Sequence, residues 1–209
     1  MHKPFILLSL LSTLLLASSM TDYQFWHTET MVKSLANDRT ISLDVDSRFR
    51  EHGSQQYYFH SDLRYRFPLS SGLTAGVSFR EIFSLKPEGW VREHRPNVEF
   101  IFKRKTGNVT SSLRNRLEYR IFTDQTAFRN RTLLTQQFPL PFSSRFSFYI
   151  ADEIFYDFSI DDFNTNRIYL GIKPGMIRGM KISLYTMWQS TLRGDAWTTF
   201  QVSGLKIGF

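Results

Sequence analysis

Three stretches hold the side chains best suited to chemistry. In "HSDLRYRF", His60 and Asp62 stand two residues apart. A histidine beside a carboxylate is two members of a nucleophilic triad, and with a serine it could hydrolyse a lipid ester. In "NRLEYRIF", Arg116, Glu118 and Arg120 alternate with Leu117, Tyr119 and Ile121. Guanidiniums and carboxylates in one file can bind an anion or bind each other. In "SIDDF", Asp161 and Asp162 could touch a divalent cation, although they read first as a solvated acidic loop. Beyond these stretches the vocabulary of catalysis is empty. No "GxSxG", phosphate-cradling glycine loop, "HExxH" or "CxxC" occurs. The chain has no cysteine, which removes disulfides, thiolate metal sites and cysteine nucleophiles. No catalytic residue, metal or cofactor is implied. His52 and His94 fall at loop edges, and His60 reads first as a polar member of a charged file.

That file needs an element with a period of two. The chain reads as alternating runs at 23–34, 39–50, 56–67, 72–84, 93–104, 109–122, 126–138, 144–157, 163–174, 180–191 and 196–209. Breaks rich in Gly, Pro, Asn, Asp and Ser separate them, as turn chemistry requires. One file of each run is apolar, as in Leu63, Tyr65 and Phe67 or Val98, Phe100 and Phe102. The other file carries the charges: Asp44, Asp46, Arg48 and Arg50; His60, Asp62, Arg64 and Arg66; Arg80; Glu93, Arg95, Asn97 and Glu99; Arg114, Arg116, Glu118 and Arg120; Arg129 and Arg131; Glu153 and Asp157; Arg167. A soluble sandwich would use strands nearer five or six residues. Long strands with one apolar and one charged face predict an all-β fold, an antiparallel up-and-down transmembrane β-barrel of ten to twelve strands. Closure satisfies every backbone donor and acceptor inside a bilayer. Eleven runs conflict with the even counts of single-chain bacterial barrels, and twelve strands are therefore the preferred expectation.

The 209 residues allow one such domain, residues 20–209, and 20 phenylalanines suit a lipid-facing surface. The formal net charge of +7 is spread one or two arginines per run rather than gathered in a nucleic-acid arm. "MHKPFILLSLLSTLLLASS" has a basic start, an apolar run from Phe5 to Leu16, and small Ala17 and Ser19 before a cleavage site. Residues 1–19 are expected to be a cleaved signal peptide, with export to the outer membrane. Trp26, Phe67, Trp90, Phe138, Phe142, Trp188 and Trp197 fall near run ends, where an interfacial girdle is expected. The last run, "GLKIGF", ends on Phe209 behind Leu205 and Ile207, the pattern expected of a signal read by the barrel assembly machinery.

The chain resembles a family of bacterial outer-membrane proteins, domain-of-unknown-function family 2490. The matching pieces are "DYQFWHTE", "EHRPNVEF", "LRNRLEYRIF", "FRNRTLL", "ADEIFYDF", "NTNRIYLGI" and the final strand. The resemblance implies an outer-membrane barrel and supplies no reaction.

With Phe209 in the periplasm, the charges fall mostly in the extracellular half of the inner file. The periplasmic half reads as milder, with Thr74, Gly76, Ile101, Thr135, Ser147, Gly171 and Ser183. The expected belt comprises Arg48, Arg50, His60, Asp62, Arg64, Arg80, Arg95, Glu99, Arg116, Glu118, Arg120, Arg129, Arg131, Glu153, Asp157 and Arg167. In a narrow lumen these charges are expected to pair, with Glu99, Glu118 and Glu153 each shared by more than one arginine. The function expected is a small integral barrel with a structural, interaction or narrow-channel role. A lipid hydrolase and an anion-selective porin are the alternatives. The expected partners are outer-membrane lipid, lipopolysaccharide and the assembly machinery, with no nucleic acid.

Overall fold

Period-two alternation becomes eleven strands. The computed structural model describes residues 20–140, 143–174, 176–177 and 179–209. The expected signal peptide, residues 1–19, and Phe142 of the expected girdle lie outside the described residues. The strands are β1 (Met20–Ser34), β2 (Thr40–Arg50), β3 (Gln55–Ser70), β4 (Leu73–Lys86), β5 (Gly89–Thr106) and β6 (Val109–Ile121). The chain continues through β7 (Thr126–Leu140), β8 (Ser143–Asp157), β9 (Asp162–Pro174), β10 (Lys181–Arg193) and β11 (Ala196–Gly208). Each sequential pair is antiparallel, and β1 closes on β11 to make a barrel.

The strand number is eleven, within the expected range but not the preferred twelve. The parity conflict is real and is resolved by a parallel seam. Met20 pairs with Thr199 and Thr30 with Gly208, so β1 starts at the same end as β11. Phe209 fastens the seam: its N–H donates to Thr30 O at 2.8 Å, and its carbonyl accepts from Val32 N at 3.2 Å. The end holding Phe209 and residues 35–39, 71–72 and 107–108 is called the lower end. The end holding residues 51–54, 87–88, 122–125, 158–161 and 194–195 is the upper end. Several strands outrun their expected limits, β5 by several residues, because the hairpin ladders extend past the apolar band. At the lower turn before β4, Gly72 has φ +80°, and a Cβ there would meet Lys103 O at 2.7 Å. Only glycine fits.

The surfaces are inverted relative to a soluble protein. Leu63 (58% exposed), Phe100 (49%) and Leu184 (54%) face outward, with Val77, Phe79, Val98 and Phe102 beside them. The charged file is inside: Asp62 and Glu118 are 0% exposed. Trp90 and Trp197 are exposed near the upper end and Phe138 near the lower. Trp26 is a correction. It sits inside, 4% exposed, because the alternation of β1 turns Gln24, Trp26 and Thr28 to the lumen and Tyr23 and Phe25 outward.

A closed lattice above a basic chamber: the candidate functional site

Alternation on β2 to β9 delivers the charges to one interior, and neighbouring strands set them opposite one another. Asp62 on β3 pairs in register with Arg80 on β4, and Glu99 on β5 with Arg116 on β6. Glu118 on β6 stands opposite Arg129 on β7. Opposite charges at such positions stabilise a sheet.

The carboxylates act as hubs. Glu118 takes Arg129 at 2.5 Å, Arg131 at 2.8 Å and Arg95 at 3.5 Å. Glu153 takes Arg114 at 2.7 Å, Arg131 at 2.9 Å and Arg167 at 3.4 Å. Glu99 takes Arg116 at 2.6 Å, Arg66 at 2.7 Å and Arg64 at 3.6 Å. Glu93 holds Arg95 at 2.6 Å and Arg120 at 2.9 Å. Asp62 holds Arg64 at 2.6 Å and Arg80 at 2.7 Å. Arg95 and Arg131 each bridge two hubs and join Glu93, Glu118 and Glu153 into one network, while Arg64 joins Asp62 and Glu99 into a second. A buried charge without partners is costly, and these hubs are surrounded by partners.

Aromatic rings complete the layer. The Arg48 guanidinium lies 3.7 Å from the Trp26 ring centroid and 4.2 Å from that of Tyr58. The Arg167 guanidinium lies 5.0 Å from Trp26 and 4.6 Å from Phe155. Each such contact adds cation–π attraction. The sequence places Trp26 in the expected girdle and gives Phe155 no role. The available signal was parity, since Phe155 lies two residues from Glu153 and two from Asp157.

Two expected belt members stand apart. Arg50 is at the upper mouth, donating to Gln55 Oε1 at 2.5 Å. Asp157 caps the 158–161 turn, accepting from Ser159 N at 3.0 Å and Asn164 Nδ2 at 3.0 Å. His60 is inside the lattice, with Nδ1 3.5 Å from Asp46 Oδ1 and the Tyr58 ring edge-on at 5.5 Å. No serine or threonine hydroxyl is hydrogen-bonded to it among the described residues. His27 faces outward beside Glu29 at 3.1 Å, and His94 faces outward beside Glu81. No group of His, Asp and Glu able to hold a metal ion gathers among the described residues.

Below the lattice the lumen opens. A chamber of about 440 Å³ has Arg64, Arg114, Arg116 and Arg131 in its wall, and Tyr149 and Tyr185 on its flank. It runs into a vestibule of about 1000 Å³ at the lower end, with Lys173 and Lys206 lining both. The expectation of a mild lower half therefore needs correcting. Gly171 and Ser183 are there, but Lys173 and Lys206 share their file. The tyrosines are positioned by glycine. Tyr185 stands in register with Gly171 and Gly204 and lies across the face of Gly204, where a Cβ would collide with its ring. Tyr149 covers Gly171 in the same way.

This architecture is a closed, mostly antiparallel eleven-strand β-barrel with a charged interior and an apolar exterior. The solved NanC porin, in a rhombohedral crystal form, aligns at a TM-score of 0.53 over 87% of this chain and 93% of its own, with 10% identity. At that identity the likeness concerns the fold. Residues 23–199 match the family described as "Protein of unknown function (DUF2490)", and the chain belongs to that family. Comparison with curated proteins gives no match.

Proposed function

We propose that the chain is exported, inserts into a bacterial outer membrane with Phe209 on the periplasmic side, and works there as a closed barrel without an active site. The outward apolar band supports insertion, because such a surface is stable only in lipid. One observation carries closure. In the lumen-facing file Asp62 and Glu118 are 0% exposed, Glu153 1%, and Glu99 and Arg116 2%. A water-filled pore would leave such charges wet. Lipid and lipopolysaccharide surround the barrel in this reading, and the assembly machinery reads Phe209. Insertion predicts a sarkosyl-insoluble, heat-modifiable band in the outer membrane, and recovery from the soluble periplasm would contradict it. Closure predicts silence in planar bilayers, and stable conductance steps would contradict it.

The second reading is an anion-selective pore. The basic lumen and the porin fold favour it. The hydrolase reading rests on His60 alone. Turnover of phospholipid or lipopolysaccharide that disappears in His60→Ala would be needed to revive it.

A further inference from the structure

We propose that the lower chamber is a binding site for a small multivalent anion, bearing phosphate or carboxylate groups, that enters from the Phe209 end. The inference rests on the closed-lattice reading, which makes the chamber a terminal site rather than a stretch of pore. The vestibule is lined by five basic side chains, Arg66, Lys105, Lys173, Lys181 and Lys206, and by no carboxylate among the described residues. The residues outside the description include no Asp or Glu.

The two lysines that continue into the chamber are not ion-paired among the described residues. Lys173 donates to Gln137 Oε1 at 3.4 Å and lies 4.6 Å from the Tyr149 ring centroid. Lys206 lies 5.2 Å from the Tyr185 ring centroid. The carboxylates in the chamber wall are already engaged: Asp44 by Arg64 at 3.1 Å, Asp46 by Arg48 at 2.6 Å, and Glu153 by three arginines. Arg114 Nε has no hydrogen-bond partner among the described residues. Ammonium groups with three donors each, held over aromatic rings in a concave space of about 440 Å³, have the size and composition of a small-molecule site. Like charges with no counter-charge focus an anion into such a cleft. The class follows from the donors. A monovalent ion would satisfy one lysine, whereas a multivalent one spans Lys173 and Lys206 together.

The test is calorimetric titration of the folded barrel, in a zwitterionic detergent, with tripolyphosphate and with citrate. Glucose serves as the neutral control. Saturable binding of at least one anion is expected. It should weaken at least tenfold in the double variant Lys173→Gln/Lys206→Gln and stay unchanged in Lys86→Gln at the upper end. Heat-modifiable migration shows that each variant is folded. No saturable binding to folded wild type, or equal binding by the double variant, would overturn the site. Nanodiscs with and without phosphatidylglycerol identify the source. Competition by that lipid, lost in the double variant, marks a headgroup ligand; an unchanged titration marks a free solute. Conductance on the same samples separates the two claims. A conducting barrel that still binds keeps the site and loses closure, and a silent one that does not bind loses the site alone.

Discussion

The upper and lower halves of one lumen handle basic side chains in opposite ways. Above, every guanidinium of the network meets a carboxylate, and hubs such as Glu118 and Glu153 are shared among three arginines each. Below, Lys173 and Lys206 meet tyrosine rings and amide oxygen instead. The difference follows from space. Long side chains from several facing strands fill the upper section, and once dry they must pair. In the lower section Gly171 and Gly204 let the Tyr149 and Tyr185 rings lie against the wall, and the chamber and vestibule leave Lys173 and Lys206 beside open space rather than beside a carboxylate. Charge in the upper half is therefore structural, and charge in the lower half is available to a ligand.

The sharpest way to break this comparison is to remove a hub. Glu118→Gln leaves Arg95, Arg129 and Arg131 facing one another in a dry space. It is expected to lower unfolding stability by about 3–5 kcal/mol, the usual cost of breaking a buried pair. Glu88→Gln, in an upper turn, is expected to stay within about 0.5 kcal/mol. Urea titrations of both in lipid vesicles check this, and equal silence would mean the lattice is hydrated. Next in size is Gly204→Ala. Its methyl group meets the Tyr185 ring, and overpacking of this kind costs about 1–3 kcal/mol. In the same titration Gly204→Ala should cost less when made in a Tyr185→Ala background than in the wild type, because the ring it meets is gone. Deleting Phe209 removes two seam hydrogen bonds, each worth about 1 kcal/mol. Gel-shift kinetics should show slower folding with the lattice intact. The smallest effect is expected from Lys173→Gln/Lys206→Gln. Two charges are removed, yet stability should move by no more than about 0.5 kcal/mol, because nothing is left unpaired. A loss as large as that of Glu118→Gln would show that the lower charges are structural too.

Much of this was legible in the sequence. Alternation in "NRLEYRIF" and "HSDLRYRF" placed Arg116, Glu118, His60 and Asp62 on one file, because a strand leaves no other choice of side. The sharing of Glu99, Glu118 and Glu153 followed from counting arginines against carboxylates. What was not legible depended on registers between strands distant in sequence. Nothing local says that eleven strands close through a parallel seam. Both files of β1 carry aromatic residues, so only its pairing with β2 and β11 shows that Trp26 faces inward. Lys173 and Lys206 were passed over because each follows an apolar residue, in "GIK" and "GLK". Their shared file across β9 and β11 appears only once the barrel closes.

The central claim is that the lumen is sealed above and open below, and the absence of native cysteine makes it directly testable. Thr30→Cys lines both the chamber and the vestibule, and His52→Cys marks the upper end. Each variant is reconstituted into vesicles and exposed from outside to a charged, impermeant methanethiosulfonate. The account predicts that the labelled fraction of Thr30→Cys equals the fraction of barrels with the Phe209 end outward, the complement of His52→Cys labelling. Complete labelling of Thr30→Cys in both orientations would contradict it, because the reagent would then have passed through the lattice.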